Sequence, residues 1–255
     1  MNDYSEKLEV AIAINHDLAE GPFWDEVSGN LIFVDGYRGA IHRFNYKTGD
    51  INSLFVDEPI GAAIPALDER LVFTATKGLK EVLKNRKKSL IVEIEIDQPN
   101  NRLNDAKCDS LGRLWTGSFS EKFEQGAGNL YRIDPNNSVK KMASGFRVSN
   151  GIAWNKDETK LFFVDTLLGI INLFDYDLAS GEVSNRRTFV KIDRADGLPD
   201  GLTVDEFGDV WVALFHGGQV RHYSSDGQLV GVIRLPVSRV TSCIFGGKDY
   251  RDLFI

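Results

Sequence analysis

Cysteine is scarce in this 255-residue chain: Cys108 and Cys243 are the two. Two thiols cannot build the disulfide framework of a small secreted domain, so a reducing compartment is expected. Long apolar runs are missing. None approaches the roughly 18 residues that a membrane-spanning helix requires. The N-terminal stretch MNDYSEKLEVAIAINHDLAEGP lacks a basic segment leading into an apolar one, so no secretory signal is expected and the cytoplasm is the expected location. An excess of basic charge is also missing. Thirty Lys and Arg stand against 37 Asp and Glu, for a net charge of −7. No global positive field therefore exists to hold nucleic acid or an anionic membrane. Long amphipathic helical patterns are absent too, and small-molecule partners remain open.

What is present is a repeat of strands. Hydrophobic residues make up 42% of the chain, enough for a large core, and Gly is frequent at 24 residues. Short aromatic and β-branched runs recur between turn signals: NLIFVDG, RLVFTAT, GRLWTGS, KLFFVDT, DVWVALF and the final DLFI. Their aromatic residues, Phe33, Phe73, Trp115, Phe163, Trp211 and Phe254, follow one another at intervals of 40 to 48 residues. A period in the forties filled by strands is the signature of propeller blades. The fifth unit reads as a four-stranded meander, GLTVD, DVWVALF, QVRHYSS and QLVGVIRLP, with a DG hairpin signal before the last strand. KGLKEVLKNRKK, 77–88, fits a third strand and a charged hairpin better than a helix. The expected fold is all-β, a single six-bladed β-propeller over residues 1–255. Five blades are complete, and the chain ends in the second strand of the sixth, so it reads as truncated within that blade. A strand at about 7–13 (KLEVAIA) is expected to close the ring.

Blades are related by rotation about a central axis, so equivalent positions meet around it. Glu20, Asn104, Asn150 and Asp200 each stand five residues before an Asp or Asn at the end of a blade's first strand: Asp25, Asp109, Asn155 and Asp205. The second blade departs, with Ala63 before Asp68. Pro199-Asp200-Gly201 is by itself ordinary turn chemistry, but a turn does not select Glu at position 20. Asp200 therefore reads as both a turn residue and a site residue at the tunnel mouth. Two carboxylates converging with no Lys or Arg between them repel and resist burial; a cation relieves this. Oxygen donors without His or Cys favour a hard divalent ion such as Ca²⁺, Mg²⁺ or Mn²⁺. The spacing does not separate three ligands from Asn104. Loops between second and third strands lie on the same face and carry Tyr37, Arg38, Glu121, Thr166 and His216. Arg102, two residues before Asn104, joins them. Arg102 and Glu121 suit contact with substrate hydroxyls or a carboxylate; an ion pair between the two is the competing reading.

AEGPFWD, NRLNDAKCDSLGRLWTGSFSE, VSNGIAWNKDETKLFFVDT, LPDGLTVDEFGDVWVA and TSCIFGGKDY together resemble, in order along essentially the whole chain, the regucalcin (senescence marker protein), gluconolactonase and luciferin-regenerating enzyme family. The resemblance implies a six-bladed propeller with one divalent metal ion, Ca²⁺, Zn²⁺, Mg²⁺ or Mn²⁺, at the tunnel mouth. It implies Glu20, Asn150 and Asp200 as metal ligands, Arg102, Asn104 and Glu121 as substrate contacts, and Asp200 as the catalytic base. The activity it implies is metal-dependent hydrolysis of a sugar lactone or similar small molecule; a monomer is favoured, and neither nucleic acid nor membrane is an expected partner. A calcium-binding regulatory role is the first alternative; the chain has no EF-hand loop. Hydrolysis of a specialised compound, as in luciferin regeneration, is the second.

Overall fold

The computed structural model describes residues 1–66, 68 and 70–255. A short strand, β1 (Asn2–Asp3), precedes five four-stranded antiparallel meanders. Blade 1 comprises β2 (Ala19–Asp25), β3 (Asn30–Asp35), β4 (Ala40–Asn45) and β5 (Ile51–Phe55). Blade 2 comprises β6 (Ala63–Pro65), β7 (Leu71–Ala75), β8 (Gly78–Val82) and β9 (Lys88–Glu93). Blade 3 comprises β10 (Asn101–Cys108), β11 (Leu114–Ser120), β12 (Gly128–Ile133) and β13 (Val139–Phe146). Blade 4 comprises β14 (Ser149–Trp154), β15 (Lys160–Asp165), β16 (Ile170–Asp177) and β17 (Glu182–Lys191). Blade 5 comprises β18 (Leu198–Val204), β19 (Val210–Phe215), β20 (Gln219–Tyr223) and β21 (Leu229–Arg234). A two-stranded sheet, β22 (Ile244–Gly246) and β23 (Asp252–Phe254), follows.

Among the described residues the chain is thus an all-β propeller with five four-stranded blades and a two-stranded sheet, where the sequence led us to expect five complete blades and an incomplete sixth. The six periodic aromatics all fall in second strands, including Phe254 in β23. The segment 77–88 forms β8 and the hairpin leading to β9, as its pattern indicated. The expected strand at 7–13 does not form. The N-terminal strand is β1 instead, and it pairs in parallel with β21 of blade 5, Asn2 opposite Gly231 and Asp3 opposite Val232. KLEVAIA has the alternation of a strand, but its side chains are mostly exposed and find no neighbouring edge. No helix among the described residues is long and apolar enough to cross a membrane.

The core lies between blades rather than in one central mass, because each meander is apolar on both faces and only another blade can cover it. Ile32 and Val34 of blade 1 pack on Ala63 and Phe73 of blade 2. Trp115 and Leu130 of blade 3 pack on Phe163 and Phe174 of blade 4, and Ile171 of blade 4 on Val212 and Leu214 of blade 5. Trp24, Leu31 and Phe33 gather Ile244 and Phe254, seating the β22–β23 sheet on blade 1.

Around the axis the inner strands touch through backbone. A Cβ on Gly21 would meet Gly61 and Ala62, one on Gly61 would overlap Asn104, one on Gly151 would meet Asp200 and Leu202, and one on Gly201 would overlap Ser242. Asn104 Nδ2 donates to Ser149 O at 2.9 Å, Gly201 N to Thr241 O at 2.7 Å, and Thr241 Oγ1 to Ala19 O at 2.6 Å. Contact therefore runs from blade 1 through blade 5, across Thr241–Ser242, and back to blade 1.

Candidate functional site at the tunnel mouth

Four inner strands carry an irregularity at the same place. The register with the second strand shifts between Glu20 and Phe23, Leu103 and Ala106, Ser149 and Ile152, and Pro199 and Leu202. These shifts bracket or begin at Glu20, Asn104, Asn150 and Asp200. In blade 2, β6 pairs with β7 without a shift. A bulge bends a strand and re-aims a side chain off the alternating pattern. Pro199-Asp200-Gly201 is therefore not a turn: it lies inside β18. Its glycine is explained by the close approach of Ser242, not by a left-handed φ.

Asn150 and Asp200 are buried, and Glu20 is half-buried. Asn150 Nδ2 donates to Thr166 Oγ1 at 3.3 Å, while Asn150 Oδ1 has no partner. Asp200 Oδ1 is likewise buried with no hydrogen-bond partner. Burial and the neighbouring Asp105 push the Glu20 carboxyl well above its usual range, against a smaller opposing effect of Arg102. Burial, then the charges of Glu20 and Asp105, raise Asp200 well above its own. An unsatisfied amide oxygen, an unsatisfied carboxylate oxygen and a second carboxylate held in mutual repulsion form a donor set that fits a hard divalent ion.

Sequence reasoning missed two charged residues here. Asp105 stands directly after Asn104, where the three other bulged strands have Gly21, Gly151 and Gly201. Its carboxyl is raised to about 6 by burial, with Lys107 acting in the opposite direction. Lys107 is pushed below its ordinary value by burial, and its Nζ donates to Leu202 O at 3.3 Å, from blade 3 to blade 5. The carboxylates thus meet in the company of a lysine and of Arg102, contrary to the expectation of no basic group among them. The available signal was charge at two alternating positions of an innermost strand, Asp105 and Lys107, on a face that otherwise reads as core.

Of the remaining expected residues, Arg102 and Glu121 lie beside the cluster, while Arg38 and His216 find partners elsewhere. Arg102 belongs to β10 rather than to a loop; it is 9% exposed and stacks over the Phe119 ring at 4.5 Å. Its Nε lies 3.6 Å from Glu121 Oε1, and its Nη1 donates to Leu103 O at 3.2 Å. Burial lowers its pKa, while Glu121, Tyr37 and Glu20 act to raise it. Glu121 is mostly exposed, so the pair is a loose one at the rim. Asn104 is tied to Ser149 O by its amide nitrogen. Arg38 turns away to pair with Asp17 at 2.8 Å. His216 sits in a turn at φ +63°, against Phe215.

Known proteins share much of this sequence and fold. Residues 18–255 match the family model described as SMP-30/Gluconolactonase/LRE-like region. Regucalcin of Oryctolagus cuniculus is 34% identical over 258 residues, covering 98% of this chain and 86% of that protein. The crystal structure of a calcium-binding protein, regucalcin, from Agrobacterium tumefaciens superposes with a TM-score of 0.90 at 26% identity, over 96% of this chain and 83% of that one. A gluconolactonase from Xanthomonas campestris superposes with a TM-score of 0.80 at 25% identity, over 93% of this chain and 82% of that one. By the match of nearly its whole length, the chain belongs to the SMP-30/gluconolactonase/LRE-like family.

Proposed function

We propose that this protein is a divalent-metal-dependent hydrolase of small lactones, acting at the mouth of a propeller built on a six-fold plan in which β22 and β23 stand for the sixth blade. The observation that carries the reading is the pair of buried, unpartnered oxygens, Asn150 Oδ1 and Asp200 Oδ1, beside the raised carboxyl of Glu20. Glu20, Asn150 and Asp200 would hold the ion. Bound there, Ca²⁺, Zn²⁺, Mg²⁺ or Mn²⁺ supplies Lewis acidity toward an ester carbonyl. The chain's own groups do the rest. Asp200 takes the proton of the attacking water at its carboxylate. Arg102, Asn104 and Glu121 bind and orient the hydroxyls of the ring, with Arg102 held in place by Phe119. Names in the family support the substrate class: gluconolactonase for the Xanthomonas campestris protein.

The test is hydrolysis of D-glucono-δ-lactone by chelator-stripped protein resupplied with each of the four ions. Activity should return with metal, and Asp200→Asn should lower kcat/KM by about 100-fold or more. Near-wild-type turnover in that variant would sink the mechanism. Calcium binding without turnover is the second reading, drawn from the calcium-binding description of the Agrobacterium tumefaciens protein. Metal bound at the mouth with no hydrolysis of any lactone tried would favour it.

A further inference from the structure

At the opposite end of β18 lies a second cluster. Asp200 stands near the start of this strand and Asp205 just past its end, about 16 Å away in an extended chain. Asp205 Oδ1 accepts the backbone N–H of Phe207 and of Asp209, each at 3.0 Å, and so closes the β18–β19 turn. Asp209 Oδ1 accepts Ser225 N at 2.8 Å. Each carboxylate is thus anchored through one oxygen and presents the other to His222. His222 Nε2 lies 3.1 Å from Asp209 Oδ2 and 3.8 Å from Asp205 Oδ2. The imidazole is 9% exposed and stacked on Trp211, with ring centroids 3.9 Å apart and planes 12° apart. Trp211 Nε1 in turn donates to Asp205 Oδ2 at 3.0 Å. The three ligating atoms lie within 4.8 Å of one another.

The turn itself accounts for only one of the three. Blade 3 has the same turn and the same Trp–Asp bond, Trp115 Nε1 to Asp109 Oδ2 at 3.1 Å. There the residue four positions on is Arg113, paired with Asp109 at 2.6 Å, and the residue facing Trp115 across the ladder is Arg132. Blade 4 places Asn155, Thr159 and Phe174 at these positions, and blade 1 places Asp25, Gly29 and Phe44. Blade 5 replaces two arginines by a carboxylate and an imidazole. Two acids then face one imidazole, where blade 3 pairs its one acid with Arg113 and turns Arg132 to Asp134 at 2.8 Å.

We propose that Asp205, Asp209 and His222 form a second divalent-metal site, independent of the tunnel mouth, which takes a zinc-class ion. One nitrogen and two oxygens suit zinc better than calcium, and both Asp side chains are open enough for water to complete the coordination. Backbone anchors on both carboxylates and the Trp211 stack fix the ligands before metal arrives. The ion joins the β18–β19 turn to β20.

The experiment uses the whole chain carrying Glu20→Gln and Asp200→Asn, which removes the acidic ligands at the mouth. Chelator-stripped protein is dialysed against Zn²⁺ and its Tm followed with added Zn²⁺. One zinc equivalent should remain and raise Tm. Asp209→Arg, which copies the folded arrangement of blade 3, and His222→Gln should each weaken that zinc by about 100-fold. Lactone hydrolysis by Asp209→Arg in the otherwise wild-type chain should be unchanged. No zinc equivalent in the mouth-deficient chain, or one that neither Asp209→Arg nor His222→Gln disturbs, would overturn the proposal.

Discussion

Glycine is required for two different reasons in this protein, and they predict different costs. Gly201 lies in an inner strand, and a Cβ there would overlap Ser242 of the segment that closes the ring. Gly49 lies in an exposed turn at φ +75°, with nothing near its missing Cβ. Gly201→Ala should therefore cost about 1–3 kcal/mol through overpacking. Gly49→Ala should cost about 1 kcal/mol through backbone conformation alone. Urea denaturation of the two variants checks this. Equal losses would mean that the axial contact is softer than its geometry implies. The same steric reason explains Asp200: the Pro-Asp-Gly triplet is shaped by what packs against it, not by a chain reversal.

Elements are tied to their neighbours by buried polar contacts as well as by apolar faces. Asp109, in the β10–β11 turn, accepts Arg113 Nε at 2.6 Å, Trp115 Nε1 at 3.1 Å and Tyr176 Oη of blade 4 at 2.7 Å. Burial opposes ionisation of this carboxyl, but the bonds from Tyr176, Arg113 and Trp115 outweigh it and hold the pKa below the ordinary aspartate value. The native state therefore binds fewer protons than the unfolded chain between those two values. Its stabilising effect is full above the unfolded value near pH 4 and is lost as pH falls through the depressed one. Tyr176→Phe should cost about 1–2 kcal/mol at neutral pH by removing a buried hydrogen bond. It should also make the fall of Tm between about pH 5 and pH 2 shallower. A pH series of melting curves on both proteins reads this directly; parallel acid limbs would remove Asp109 from the account.

On the scale of the whole molecule, closure depends on a small sheet. Phe254 of β23 stacks on Trp24 with centroids 5.6 Å apart, Tyr46 Oη donates to Asp252 Oδ2 at 2.6 Å, and Tyr250 Oη to Glu26 Oε2 at 3.0 Å. Through these contacts and the bonds of Thr241, blade 5 is joined to blade 1. Phe254→Ala should cost about 1–3 kcal/mol, less than the roughly 3–5 kcal/mol of a fully buried ring, because this one is only half-buried. Amide exchange should rise in β2 and β18 together, while β10 to β16 stay protected. Exchange confined to β23 would show that the ring holds without this sheet.

Much of this was legible in the chain alone. The interval of aromatic second strands determined the propeller, because a blade must cover its faces with another blade and so repeats its pattern. That interval also aligned Glu20, Asn104, Asn150 and Asp200, since rotation brings equivalent positions to one axis. The tertiary structure decided what no local pattern encodes. KLEVAIA has strand-like alternation, yet the available edge beside β21 was filled by Asn2–Asp3, and pairing depends on which edge lies near. The bulges that turn the four side chains are register facts between strands. Asp105 and Lys107 stand among the acids because inner strands of different blades meet around one axis, and Asp205 and Asp209 meet His222 because neighbouring strands of one blade share a ladder register; only folding brings these charges within reach of each other.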